Sequence, residues 1–117
     1  MPSTLFHLRV GYEFAEKYKK YDNPKFYLGV IAPDAVNLHG FAKKEIRWKT
    51  HNRDWNLEVW QNNIIDLYNN LKNVNDNDFL LGYIVHILTD LVVDDLYLNK
   101  GIYDDILKKR NKRRKGI

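Results

Sequence analysis

No cysteine occurs in this chain of 117 residues, which removes disulfides and thiolate metal sites alike. Any bound metal must therefore be held by imidazole and carboxylate groups. The chain also lacks a long uninterrupted apolar run. The longest stretch, near residues 79–93, is broken by His86 and Asp90, and the first twenty residues carry acidic and basic groups throughout, with no apolar leader core. These absences lead to the expectation of a soluble, unexported, cytoplasmic protein without an integral membrane segment. Alternating apolar and polar runs bounded by turn residues are missing too, so a sheet has no support. What is present, 44% hydrophobic and 14% aromatic residues, suffices for one core in one domain.

The formal charge of +4 misleads, because residues 108–115 contain seven lysines and arginines and no acid. Taking those seven from the 19 basic residues leaves 12 against 15 acids, a body of charge −3. We divide the chain accordingly into a helical domain, 1–107, and a basic C-terminal tail, 108–117. Such a tail suits an anionic partner, whether nucleic acid, a membrane surface or an acidic protein, or simply a solvated helix end.

Along the chain, Ser3 caps a first helix reaching about Tyr21, with His7, Val10, Phe14, Tyr18 and Tyr21 on one stripe. Asp22-Asn23-Pro24 breaks it, and a short segment from Lys25 to Val30 leads to Pro33, which places Asp34 at a turn. Residues 35–50 show poor periodicity and contain Gly40, so a long loop with one helical turn is expected there, of the kind that often carries function. A further helix starts at Asn52 or Asp54 and runs to about Lys72, burying Leu57, Trp60, Ile64, Leu67, Tyr68 and Leu71. The strongest helix spans Asp78 to about Leu98 and ends before Gly101; a last one from Tyr103 carries the tail. The expected fold is all-α, a single-domain bundle of four to five helices with a long loop after the first helices.

The chemistry concentrates on the strongest helix. His86 and Asp90 are four residues apart, so imidazole and carboxylate stack on one face, close enough to share a cation. Apolar residues surround them, and an ionised carboxylate left alone there would cost several kcal/mol. Either a cation compensates Asp90, or a buried Arg or Tyr does, or this face is wet. Its residues, Gly82, Tyr83, His86, Thr89 and Asp90, suit a lined cavity better than a solvated surface, where Lys, Glu and Gln predominate. His7 also points inward, as a core histidine or as a ligand. His51 and Asp34, in or beside loops, are unremarkable singly. His39, beside Gly40, reads as a surface residue, and Trp48, Trp55 and Trp60 as core aromatics or pocket walls.

Four segments in order resemble the zinc-dependent phospholipase C-like hydrolases of bacteria, in a small intracellular form. They are Met1-Pro2-Ser3-Thr4 with His7, Leu28-Gly29-Val30-Ile31-Ala32-Pro33-Asp34-Ala35, Lys49-Thr50-His51, and Phe79 through Asp90. The resemblance covers roughly residues 1–98. It implies that Asp34, His51, His86 and Asp90 hold one zinc-like ion, and that His7 and Asp90 contribute to a second, with Asp90 bridging. The secreted members hold a third metal through residues downstream of the segment matching His86, and this chain has no histidine there. They also use the terminal amine as a ligand, which would fall here on Met1 or Pro2.

The leading expectation is thus metal-assisted hydrolysis of a small phosphorylated substrate, a phosphate ester, by zinc-activated water, with one or two zinc ions or other divalent metals. Asp34 is the candidate catalytic residue, orienting or deprotonating that water. One alternative is an HD-type phosphohydrolase, whose adjacent His-Asp pair is missing because Ile87 follows His86. Another is a non-catalytic module whose metal is structural. Oligomeric state is not legible in the sequence.

Overall fold

The structure, a computed structural model, describes residues 3–19, 23–37, 40–73, 77–99 and 108–109. Among these it contains five α-helices and no strand, the all-α bundle that the sequence predicts. Helix α1 spans Thr4–Lys17, and its N-cap Ser3 accepts a hydrogen bond from the Phe6 amide. It ends earlier than expected, at Tyr18, where Lys19 adopts a left-handed conformation. Its innermost line is His7, Gly11 and Ala15, with Val10 and Phe14 alongside and Tyr18 exposed. The line of small residues lets α1 lie close on α2, since a Cβ on Gly11 would stand 3.0 Å from a Val30 methyl.

Helix α2, Pro24–Ile31, has Pro at its first position and Asn23 as N-cap; the Asn23 side chain accepts from the Lys25 and Phe26 amides and donates to Asp78. A 3-10 turn, Ala32–Asn37, continues it and carries Asp34. Helix α3, Lys44–His51, occupies part of the region expected as loop. The expectation failed because α3 has no apolar stripe: among its residues only His51 is buried. Asn52, with a φ of 52°, terminates it in a left-handed cap. Helix α4, Leu57–Leu71, begins later than expected, capped by Asn56.

Helix α5, Asn77–Asp94, is the central element, and a π-turn, Asp95–Asn99, extends it. Trp60 and Ile64 of α4 pack on its Leu80, Ile84 and Ile87, while Ala15, Phe26 and Val30 pack on its Val85. Its most extensive partner is α2, and the crossing is made by two glycines. A Cβ on Gly29 would fall 2.1 Å from the Phe79 carbonyl oxygen, and one on Gly82 would fall 2.0 Å from that of Phe26. The backbones touch there, which only glycine permits. No helix among the described residues is long and apolar enough to cross a membrane. The expected last helix and His39 lie outside the described residues, as does most of the tail, of which Lys108 and Lys109 are helical and exposed.

Candidate metal centre

Each of the five candidate ligands is set by its local backbone. The first turn of α1 aims His7: the Ser3 carbonyl accepts both its backbone amide (3.1 Å) and its ring Nδ1–H (3.0 Å). His51, the last residue of α3, uses the same four-residue step, its Nδ1 donating to the Arg47 carbonyl at 2.7 Å. His86 sits one turn beyond Gly82, and the close α2–α5 crossing brings the Val30 carbonyl onto its Nδ1. Asp90 follows His86 by one turn, and the 3-10 turn after α2 delivers Asp34.

All five side chains meet. His7 Nε2 lies 2.8 Å from Asp90 Oδ1, and His51 Nε2 lies 3.1 Å from Asp34 Oδ1 and 3.3 Å from Asp90 Oδ2. His86 Nε2 is 3.4 Å from an oxygen of each carboxylate. The His7 and His86 rings stack in parallel at 3.6 Å. His7, His51, His86 and Asp90 are buried, while the Asp34 side chain keeps 22% of its surface exposed and forms the solvent edge of the cluster. Asp90 meets three imidazoles rather than an Arg or Tyr, and the face it shares with His86 is not wet. Of its neighbours on that face, Thr89 bonds back to the Val85 carbonyl and Gly82 serves the helix crossing.

The nitrogens decide what the cluster can hold. A carbonyl oxygen only accepts, so in all three rings Nδ1 carries the hydrogen and a neutral ring presents a bare lone pair at Nε2. Those lone pairs face carboxylate oxygens, which is repulsive unless the rings are protonated or a cation lies between. Although they approach so closely, His51 Nε2, His86 Nε2 and Asp34 Oδ1 make no hydrogen bond. They converge on a shared space rather than on one another. A dication there, with three neutral imidazoles and two carboxylates, gives a net charge of zero. The backbone carbonyl behind each imidazole is the support that metal-bound histidines ordinarily have. Two overlapping triads, His7/Asp34/His86 and His51/His86/Asp90, have ligand atoms mutually within 4.8 Å, so the donor set fits a divalent metal.

Without metal, protons must fill the role. Burial pushes the His51 imidazole down, but Asp34, Asp90 and the Arg47 carbonyl outweigh it and raise its pKa to about 9. The same balance between burial and the two carboxylates raises His86. Burial pushes the Asp34 and Asp90 carboxyls up, and the surrounding imidazoles reverse this, holding both well below the usual carboxylate range.

A second set of side chains fixes α3. Three consecutive carbonyls at its end are captured: Thr50 by the Tyr83 hydroxyl, His51 by Trp60 Nε1 (3.0 Å) and Asn52 by the Asn63 amide (3.1 Å). Arg53 adds an ion pair to Asp94, one turn beyond Asp90. Sequence reasoning missed this set because the acceptors are main-chain atoms. It treated Trp60 only as an aromatic, whereas its buried indole must find an acceptor. The Ser3 and Arg47 carbonyls were readable from the four-residue step to each histidine; that of Val30 left no trace. No family model, curated protein or solved structure matches this chain.

Proposed function

We propose that the cluster is a divalent metal centre, zinc being the best match to its imidazole and carboxylate donors, and that it hydrolyses a phosphate ester, in the manner of the phospholipase C-like hydrolases that the sequence resembles. One observation carries the reading: three imidazoles, each with Nδ1 committed to a backbone carbonyl, turn Nε2 toward two carboxylates, and two of those nitrogens find no hydrogen-bond partner.

His51, His86, Asp34 and Asp90 would hold one ion, with His7 and the second oxygen of Asp90 available to another. A bound dication supplies Lewis acidity toward phosphoryl oxygen and water. Asp34 faces solvent and is the residue an incoming water meets first. Its carboxyl is held ionised far below neutrality, which makes it a hydrogen-bond acceptor that orients water rather than a base that keeps the proton. The buried side of the site, walled by the His7–His86 stack, excludes water from behind.

Elemental analysis of protein purified without added metal, followed by a panel of phosphate mono- and diesters, tests the reading. Near-stoichiometric metal, its loss in His86→Ala, and ester turnover abolished in Asp90→Asn are expected. Metal-loaded protein inert across the panel would leave only the ion. The deep burial of four of the five ligands favours the second reading, a structural ion in a non-catalytic module. Full ligation by protein atoms, without an open position, would decide for it.

A further inference from the structure

We propose that the Lys44, Arg47 and Trp48 stripe of α3, with Trp55 beside it, is a docking track that leads a single strand of nucleic acid to the Asp34 edge of the metal centre. This rests on the phosphoester reading for what happens at the end of the track, but not for the binding itself.

Positions 44, 47, 48 and 51 follow the spacing of one helical stripe, so a single line runs along α3 from exposed Lys44 to buried His51. In an ordinary surface helix that line would be apolar and face the core. Here it carries two cations, Lys44 and Arg47, followed by two rings, Trp48 and His51. The Lys44 ammonium lies 4.9 Å from the Trp48 ring centroid and 4.7 Å from that of Trp55, and the two indoles meet edge-on at 4.9 Å. The Arg47 guanidinium lies 5.9 Å over Phe41. Trp55 is 74% exposed and Phe41 88%, so large flat faces stand in solvent beside fixed positive charge.

Charge selects the ligand. Residues 41–55 contain Lys43, Lys44, Arg47, Lys49 and Arg53 against Glu45 and Asp54. Arg53 is committed to Asp94, but among the described residues Lys43, Lys44, Arg47 and Lys49 have no acidic partner. The body without the tail is net negative, so this patch is a local reversal of sign. The Arg47 Nε is also buried without a hydrogen-bond partner. A ligand matching these features repeats an anion and a planar ring along its length, as single-stranded nucleic acid does. Bases can stack on the exposed Trp55 and Phe41 rings while phosphates follow the cations. A duplex hides its base faces and does not match.

The test is fluorescence anisotropy of a labelled, cleavage-resistant phosphorothioate thymidine 10-mer with the protein as purified, across a salt series. Binding is expected at 50 mM salt, falling as salt rises. Trp55→Ala should weaken it about tenfold or more. Lys44→Ala and Arg47→Ala should each lower the salt slope by about 0.7. Lys44 and Trp55 are exposed, so their variants should keep the parental circular dichroism, and binding differences then report the surface. The proposal is overturned if the strand does not bind, if the variants bind like the parent, or if thymidine monophosphate competes equally per molecule. It is also overturned if anionic vesicles are bound through the same residues in place of the strand. Strand binding by metal-loaded protein that is inert across the ester panel would sink the hydrolase reading and leave the track standing; ester turnover without strand binding would do the reverse.

Discussion

His51 shows how one side chain couples this protein to both protons and metal. With its pKa raised to about 9, the imidazole is protonated at neutral pH in the metal-free protein, flanked by two ionised carboxylates. A group whose folded pKa lies above its ordinary 6.5 stabilises the fold fully below 6.5 and loses that contribution as pH rises through 9. Asp34 and Asp90, held below their ordinary 3.8, act oppositely: their contribution is present above that value and lost as acid protonates them. The metal-free protein should thus be most stable between about pH 4 and 6.5 and weaken toward pH 9. Metal replaces the proton, so its affinity should rise over the same alkaline interval as the competing protons leave. Melting curves from pH 6 to 9, with and without zinc, should diverge, the metal-free temperature falling while the zinc-induced increment grows. Calorimetry in buffers of different ionisation enthalpy should detect protons released on zinc binding at pH 7. Parallel melting curves and no released proton would contradict this account of His51 and His86.

The elements divide by what holds them. Helices α4 and α5 were legible in the sequence because burial of Trp60, Ile64, Ile84 and Ile87 wrote an apolar period into it. Helix α3 was not, although its period is present, because the repeating residues are Lys44, Arg47, Trp48 and His51. It is held by its end rather than by its side. Removing one captured carbonyl's donor should therefore cost more in metal than in fold. Tyr83→Phe should destabilise by about 1 kcal/mol yet weaken zinc binding about tenfold, since the Thr50 carbonyl that the Tyr83 hydroxyl holds is next to His51 and releasing it lets that ligand shift. Isothermal titration set beside a denaturant melt separates the two effects. The α2–α5 crossing was equally invisible, because glycines leave no apolar signal. Gly82→Ala forces a methyl onto the Phe26 carbonyl, so the helices must part. A loss of about 3 kcal/mol or more is expected by analogy with other severe overpacking, and zinc affinity should fall with it because the Val30 carbonyl behind His86 moves too. Of the site, the His86–Asp90 pair was readable from spacing in an apolar context. Asp34 and His51 needed the resemblance to be noticed, since a turn and a polar helix deliver them.

At the scale of the whole molecule, the cluster ties residues 83 positions apart, His7 at the start and Asp90 near the end of α5, with two intervening segments joined between them. Any ligand that binds only this assembled state stabilises it by mass action. Zinc at a thousandfold excess over its Kd should add about 4 kcal/mol, and the melting temperature should climb by roughly 15 °C for a chain of this size. An unchanged melt would mean that the cluster binds no ion. Among the described residues, the Asp34 carboxylate is the edge of the cluster that meets solvent, since the other four ligands are buried. Metal is expected to pass at that edge, so how fast it leaves should depend on the girth of the scavenger as well as its strength. A slender chelator should empty the protein sooner than a bulky one of equal affinity.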